Sequence, residues 1–157
     1  MRRCAGFTIL ELLVVVAILG ILAATAIPLL NTYQQRAYGS EAALTVKKLL
    51  DGQIMYYLDN EKFYPPNPGD FIEVYHDGTQ KLNGANNPAV IQNTLNALAI
   101  KIPIGHFLDF EIRNTTVVEP QCMITISHHK NLALFKNGKT KIVGFLDNTG
   151  KTNLVPQ

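Results

Sequence analysis

The sequence predicts an α+β protein. One long N-terminal helix, its first half membrane-spanning and its second half amphipathic, packs on a four-stranded antiparallel sheet. Three observations carry this expectation. Residues 7–30, FTILELLVVVAILGILAATAIPLL, form one apolar run with a single acid, Glu11. Residues 43–57 then repeat apolar side chains at helical spacing. After the breaker Pro65-Pro66-Asn67-Pro68-Gly69, the chain turns to short segments that alternate apolar and polar residues, the period of a strand with one buried face.

The first segment is long enough to cross a bilayer. Between residues 12 and 30 only Gly20, Thr25 and Pro28 interrupt the apolar side chains, and no charge lies between Glu11 and Arg36. As a helix, residues 7–30 span roughly 36 Å, against a hydrocarbon core of about 30 Å. Arg2 and Arg3 precede the run and place the N-terminus in the cytoplasm by the positive-inside rule. Pro28 cannot donate a hydrogen bond to the carbonyl of Ala24, so the helix is expected to kink or loosen there. Gly20 adds a second weak point and permits close helix approach. Glu11 is the anomaly, because an ionised side chain at membrane depth is costly and calls for a partner. A conventional signal peptide cut near Ala23-Ala24-Thr25-Ala26 leaves that acid unexplained. A Glu11 that merely snorkels to the headgroups is the plainer alternative.

The helix is expected to continue from Asn31 to about Glu61. Ala43, Val46, Leu50, Ile54 and Tyr57 share one face, with Lys47, Lys48 and Asp51 largely away from it. Gly39 and Gly52 weaken the stretch. Residues 70–87 contain Asp77-Gly78, Asn83-Gly84 and Asn86-Asn87 and read as turns and irregular loop. Residues 88–100 fit a short amphipathic helix behind Pro88, with Val90 or Ile91, Leu95 and Leu98 inward. Four strands follow. In 107–113, Leu108, Phe110 and Ile112 alternate with acids; in 121–127, Cys122, Ile124 and Ile126 alternate with polar residues. Segments 132–136 and 141–146 flank Asn137-Gly138, a hairpin signal. The apolar sheet face is expected to cover the 43–57 stripe.

Composition narrows the function. Formal net charge is +2, so nothing points to nucleic acid. Cys4 and Cys122 lie on either side of the membrane segment, so no internal disulfide is expected, and Cys122 reads as a buried strand residue. His76, His106, His128 and His129 read as exposed loop histidines, since adjacent His128 and His129 point to opposite strand faces and no cysteine or carboxylate spacing completes a metal site. Asp147-Asn148-Thr149-Gly150 reads as an ordinary turn in preference to a calcium loop, lacking the further acids of an EF-hand. Tyr33, Tyr38, Tyr56, Tyr57 and Tyr64 read as packing residues. No catalytic residue, metal ligand or cofactor is assigned, and the chain is not expected to be an enzyme.

The N-terminal residues MRRCAG/FTILELLVVVAILGILAATAIP resemble the class III leader and first helix of type IV pilins and pseudopilins. AIPLLNTYQQRAYGSEA and YYLDNEKFYPP resemble type IVa pilins, and the likeness fades after about residue 70. The resemblance implies a leader at 1–6, a transmembrane and filament-core helix at 7–30, and a globular head at 31–157, together shaped like a ladle. It implies cleavage between Gly6 and Phe7 by a prepilin peptidase, N-methylation of Phe7, and pairing of Glu11 with the Phe7 amine of a neighbouring copy. Gly20 and Pro28 join Glu11 as assembly residues. Without residues 1–6 the chain carries 12 basic and 12 acidic residues (14 minus Arg2 and Arg3, with no acid lost).

The expected function is therefore structural: a subunit, in the major-pilin role, of a type IV pilus. Its implied partners are other copies of the chain, the peptidase, pilus or type II secretion assembly machinery, and inner-membrane lipid before assembly. The implied locations are the inner membrane, single-pass with the N-terminus cytoplasmic, and then a surface fimbrium. Cell adhesion, twitching motility and DNA uptake are family-level expectations. The alternatives are a type II secretion pseudopilin or minor pilin, and an enzyme on an ordinary signal anchor. The chain departs from many pilins in lacking paired C-terminal cysteines, and from the major pseudopilin in lacking a clear C-terminal calcium motif.

Overall fold

A computed structural model describes residues 7–105, 107–115 and 121–157 of the chain. Among these residues run α1 (Ile9–Asn60), β1 (Phe71–Val74), β2 (Gln80–Leu82), β3 (Ala85–Asn86), α2 (Val90–Leu98), β4 (Leu108–Thr115), β5 (Gln121–His128), β6 (Lys141–Asp147) and β7 (Thr152–Pro156). They fall into two compact units, one ending at Gln34 and one covering Gln35–Gln157.

In the N-terminal unit every described residue is exposed, Phe7 ahead of α1 and Leu12, Ile18 and Leu29 along it included. The helix is long and apolar enough to cross a membrane. An apolar surface of this extent left uncovered on one chain needs lipid or protein around it.

In the C-terminal unit the strands form one antiparallel sheet in the order β3-β2-β1-β4-β5-β6-β7. The sheet thus has seven strands, not the expected four. The additional strands at 71–86 arise from the two turn dipeptides in that region. Asp77-Gly78 closes β1 onto β2, with the amide of Tyr75 donating to the Thr79 carbonyl at 2.9 Å. Asn83 and Gly84, both at positive φ, close β2 onto β3 as the primed turns of hairpins do. Strands of three and two residues are too short to show a period of two, which hid them in the sequence. β7 is an exposed edge strand, where Pro156 costs no ladder bond that matters.

One expected strand is absent. Residues 132–136 form no strand, and β5 connects to β6 through a loop whose turn is Asn137-Gly138. The backbone groups of this segment find partners other than a neighbouring strand. Leu134 N–H donates to the Lys139 carbonyl at 2.7 Å, and the Phe135 carbonyl accepts from Gln35 Nε2 at 2.8 Å. Leu134 is buried, and its carbonyl lies where a Cβ on Gly39 would stand.

β4 and β5 alternate as expected, with Leu108, Phe110, Ile112, Cys122, Ile124 and Ile126 inward. The buried stripe of α1 is rotated from the expected one. Gly39, Ala42, Val46, Leu49, Leu50, Gly52 and Gln53 are buried, while Ala43, Ile54 and Tyr57 are only half-buried. Small residues and a glutamine let the helix sit close to the sheet, and an apolar count cannot see them. A Cβ on Gly144 of β6 would come within 2.6 Å of Val46 Cγ1 and 3.0 Å of Leu50 Cδ1. In α2 the inward residues are Val90, Thr94 and Leu98, with Leu95 half-buried. Thr94 substitutes for a leucine because its hydroxyl donates to the Val90 carbonyl at 2.8 Å and so is not stranded.

Candidate functional site

The sequence places the function at the start of α1. Gly6 lies outside the described residues, as do Arg2, Arg3 and Cys4. Phe7 is 78% exposed and precedes the first helical turn. Glu11 has a partner that was not anticipated. Thr8 Oγ1 donates to Glu11 Oε2 at 2.9 Å, and so does the Thr8 amide, also at 2.9 Å. Glu11 N–H donates back to Thr8 Oγ1 at 3.2 Å. This is a reciprocal capping box, the pattern Ser/Thr-x-x-Glu ahead of an apolar run, and the signal was legible in TILE. The partner that Glu11 calls for is thus supplied in part by its own chain. The cap satisfies backbone donors at the helix start and places the carboxylate at the positive end of the helix dipole. It leaves the negative charge in place.

Gly20 lies mid-helix, and a Cβ there would meet nothing within 4 Å. Among the described residues, no packing requires its small size. Helical structure continues across Pro28. The carbonyl of Pro28 accepts from Thr32 Oγ1 at 3.0 Å, and Thr25 Oγ1 donates to the Leu22 carbonyl at 2.9 Å. The two hydroxyls flank Pro28 and add bonds to helix carbonyls, and neither reaches the Ala24 carbonyl from which the proline withholds an amide donor.

The C-terminal unit contains further chemistry. His128 is buried, against the expectation of exposed loop histidines. It is the last inward residue of β5, and its ring meets Tyr38 edge-on at 5.4 Å and stacks with Phe107 at 6.0 Å. Burial, with His129 adjacent, holds its imidazole below the ordinary value. His129 turns to the opposite side, as alternation requires, and meets His76 and Asp109. His76 Nδ1 lies 3.0 Å from Asp109 Oδ1. Strand pairing joins these three residues across more than fifty positions, so no local spacing could announce them. His106 lies outside the described residues.

Asp147 behaves as a turn residue. Its Oδ1 accepts from Thr149 Oγ1, Thr149 N–H and Lys151 N–H at 2.6–2.9 Å, and the Thr149 bond leads in holding the carboxyl below its usual range. Tyr38, Tyr56, Tyr57 and Tyr64 pack with the core: Tyr57 stacks on Phe63 at 4.7 Å, and Tyr56 meets Tyr64 edge-on at 5.7 Å. Cys122 is a free, buried thiol, and burial pushes it well above its ordinary value.

Residues 1–27 match the family model described as the prokaryotic N-terminal methylation motif. The type IV major pilin protein PilE1 of Neisseria gonorrhoeae is 33% identical over 99 residues, covering 58% of this chain and 60% of that protein. The type IV major pilin protein PilA of Myxococcus xanthus is 43% identical over 61 residues, covering 39% of this chain and 28% of the relative. The type II secretion system core protein G of Aeromonas hydrophila is 40% identical over 62 residues, covering 40% and 43%. The matched part of this chain thus spans less than two thirds of each of these relatives. No solved structure gives a significant match. The resemblance to type IV pilins and pseudopilins read from the N-terminal residues is borne out by these likenesses.

Proposed function

We propose that the chain is a structural subunit of a type IV pilus, in the major-pilin role, that polymerises through the N-terminal half of α1. The observation that carries the reading is the methylation motif over residues 1–27 leading into an apolar helical segment whose described side chains are exposed. A prepilin peptidase cuts between Gly6 and Phe7 and the new amine of Phe7 is methylated, which keeps its positive charge. Before assembly the helix lies in the inner membrane as a single span with the N-terminus cytoplasmic. During assembly it leaves the lipid and buries its apolar side chains against other copies, so one uncovered surface serves two environments. Glu11 pairs with the methylated amine of a neighbouring copy and sets the axial register. Gly20 lets helices approach, and Pro28 lets the helix loosen as it is extracted. Residues 31–157 form the head displayed outside the membrane.

The likeness to the secretion core protein G supports a second reading, a pseudopilin that builds a short periplasmic fibre by the same mechanism. Mass spectrometry of the N-terminus, with electron microscopy of sheared surface fibres and peptide identification, tests both. Methylated Phe7 in surface fibres is the result expected for the pilus subunit. Methylated Phe7 with fibres confined to cells carrying a secretion apparatus transfers the chain to the second reading. An intact Met1 in cells with an active prepilin peptidase overturns both.

A further inference from the structure

We propose that His76, Asp109 and His129 form a binding site for a divalent transition-metal ion, zinc in the first place, on the head. The three residues come from the ends of three adjacent strands. His76 lies in the turn after β1, Asp109 near the start of β4, and His129 one residue past β5. Their ligand atoms all lie within 4.8 Å of one another. His76 Nδ1 is 3.0 Å from Asp109 Oδ1, and His129 Nδ1 is 3.8 Å from Asp109 Oδ2. Each carboxylate oxygen thus faces one imidazole nitrogen. Four-coordinate zinc with bonds of about 2.0–2.1 Å holds neighbouring ligand atoms about 3.3 Å apart. The two observed separations, one to each oxygen of the carboxylate, lie on either side of that figure, and the outer bound of 4.8 Å leaves a contraction that side-chain rotation would have to supply as the ion binds.

The donor set suits this chemistry. Two imidazoles and one carboxylate leave a fourth position for water, the arrangement of an open zinc site, and imidazole selects zinc, copper or nickel over calcium or magnesium. The backbone around the ligands is braced. The His76 amide donates to Asp109 Oδ1 at 2.9 Å, the His76 carbonyl accepts from Gly105 N–H at 3.0 Å, and the His129 amide donates to the Phe107 carbonyl at 2.9 Å. The side chains are partly open to solvent, at 24% for His76, 20% for Asp109 and 41% for His129, which leaves a route for the ion. The two rings approach to 3.4 Å between centroids, which holds both imidazoles on one side of the carboxylate. A bound cation would be shared by the carboxylate and both imidazoles, and would tie the β1–β2 turn to β4 and β5. The site is independent of the assembly reading, because none of its residues belongs to α1.

The test is cobalt(II) and zinc(II) titration of the full chain in detergent micelles, purified without a polyhistidine tag and stripped of metal. One equivalent of cobalt(II) is expected to develop the visible bands of a four-coordinate ion, zinc(II) to displace it, and zinc to raise the thermal midpoint of the head. His76→Ala and His129→Ala should each weaken binding by more than about 100-fold, beyond the loss typical of outer-shell partners. Asp147→Asn, a remote acid, should leave it unchanged. Circular dichroism checks each fold, and His129→Ala decides the matter if His76→Ala misfolds, since His129 is exposed. Binding no tighter than millimolar, or binding that survives His129→Ala, overturns the proposal.

Discussion

The side-chain amide of Gln53 holds both backbone polar groups of Tyr64: Gln53 Nε2 donates to the Tyr64 carbonyl at 2.7 Å, and the Tyr64 amide donates to Gln53 Oε1 at 2.9 Å. Gln53 lies on the buried stripe of α1 and Tyr64 in the loop that leaves it, and both are buried. From the other side, Asn114 Nδ2 donates to the carbonyls of Phe63 at 3.2 Å and Pro65 at 2.8 Å. Two amides thus stand in for the secondary structure that the proline-rich exit cannot form. Gln53→Leu keeps the volume and strands the two Tyr64 groups away from water. It should destabilise the head by about 2–4 kcal/mol, since an unmade buried bond costs roughly 1–3 kcal/mol per group. Urea unfolding of the chain in micelles, followed by the tyrosine signal, checks this; a shift under about 0.5 kcal/mol, the size of an ordinary surface substitution, would refute the clamp.

The close approach of α1 to β6 makes a second prediction. Gly144→Val would drive a side chain into Val46 and Leu50, and overpacking of this kind costs typically about 1–3 kcal/mol. Gly39→Ala sets a methyl against the backbone carbonyl of Leu134, which cannot rotate aside as a side-chain tip can, and should lower the thermal midpoint further. Gly20→Ala meets nothing and should leave the midpoint of the head unchanged.

The capping box separates two roles of Glu11. Glu11→Gln can keep the cap, because glutamine serves at that position, but it removes the charge. Thr8→Val removes the hydroxyl of the cap and keeps the charge. If charge pairing with a neighbour drives assembly, Glu11→Gln should lose surface fibres as severely as Glu11→Ala, while Thr8→Val retains most of them. All three should still be cleaved after Gly6. Normal fibre yield from Glu11→Gln, scored by shearing and immunoblot, would reduce Glu11 to a helix cap.

Cys122 gives the alkaline behaviour a sign. Burial raises its folded value above the ordinary 9.0, so above that pH the unfolded chain releases a proton that the folded chain keeps. The stability due to the neutral thiol is therefore complete below pH 9 and declines as pH rises past it. Denaturation midpoints between pH 7 and 10 should fall less steeply for Cys122→Ala than for the parent chain, whatever the offset caused by the lost sulfur. Parallel slopes would contradict this account. The parent thiol should also resist alkylation until the head unfolds.

By itself the sequence determined the α+β class, the bounds of the long helix, the breaker at 65–69, and the inward faces of β4 and β5. These rest on periodicity and on proline and glycine chemistry, which act within a few residues. The methylation motif at the N-terminus was equally legible, and so was the Thr8–Glu11 cap, whose Thr-x-x-Glu pattern lies within a few residues. Only the tertiary structure decided the strands at 71–86, the loop at 132–136, the position of Gln53 in the core and the meeting of His76, Asp109 and His129. Each depends on partners far along the chain. A strand of two residues is stabilised by its neighbour, a glutamine is buried only where a backbone waits for it, and three scattered ligands converge only once a sheet has fixed their register.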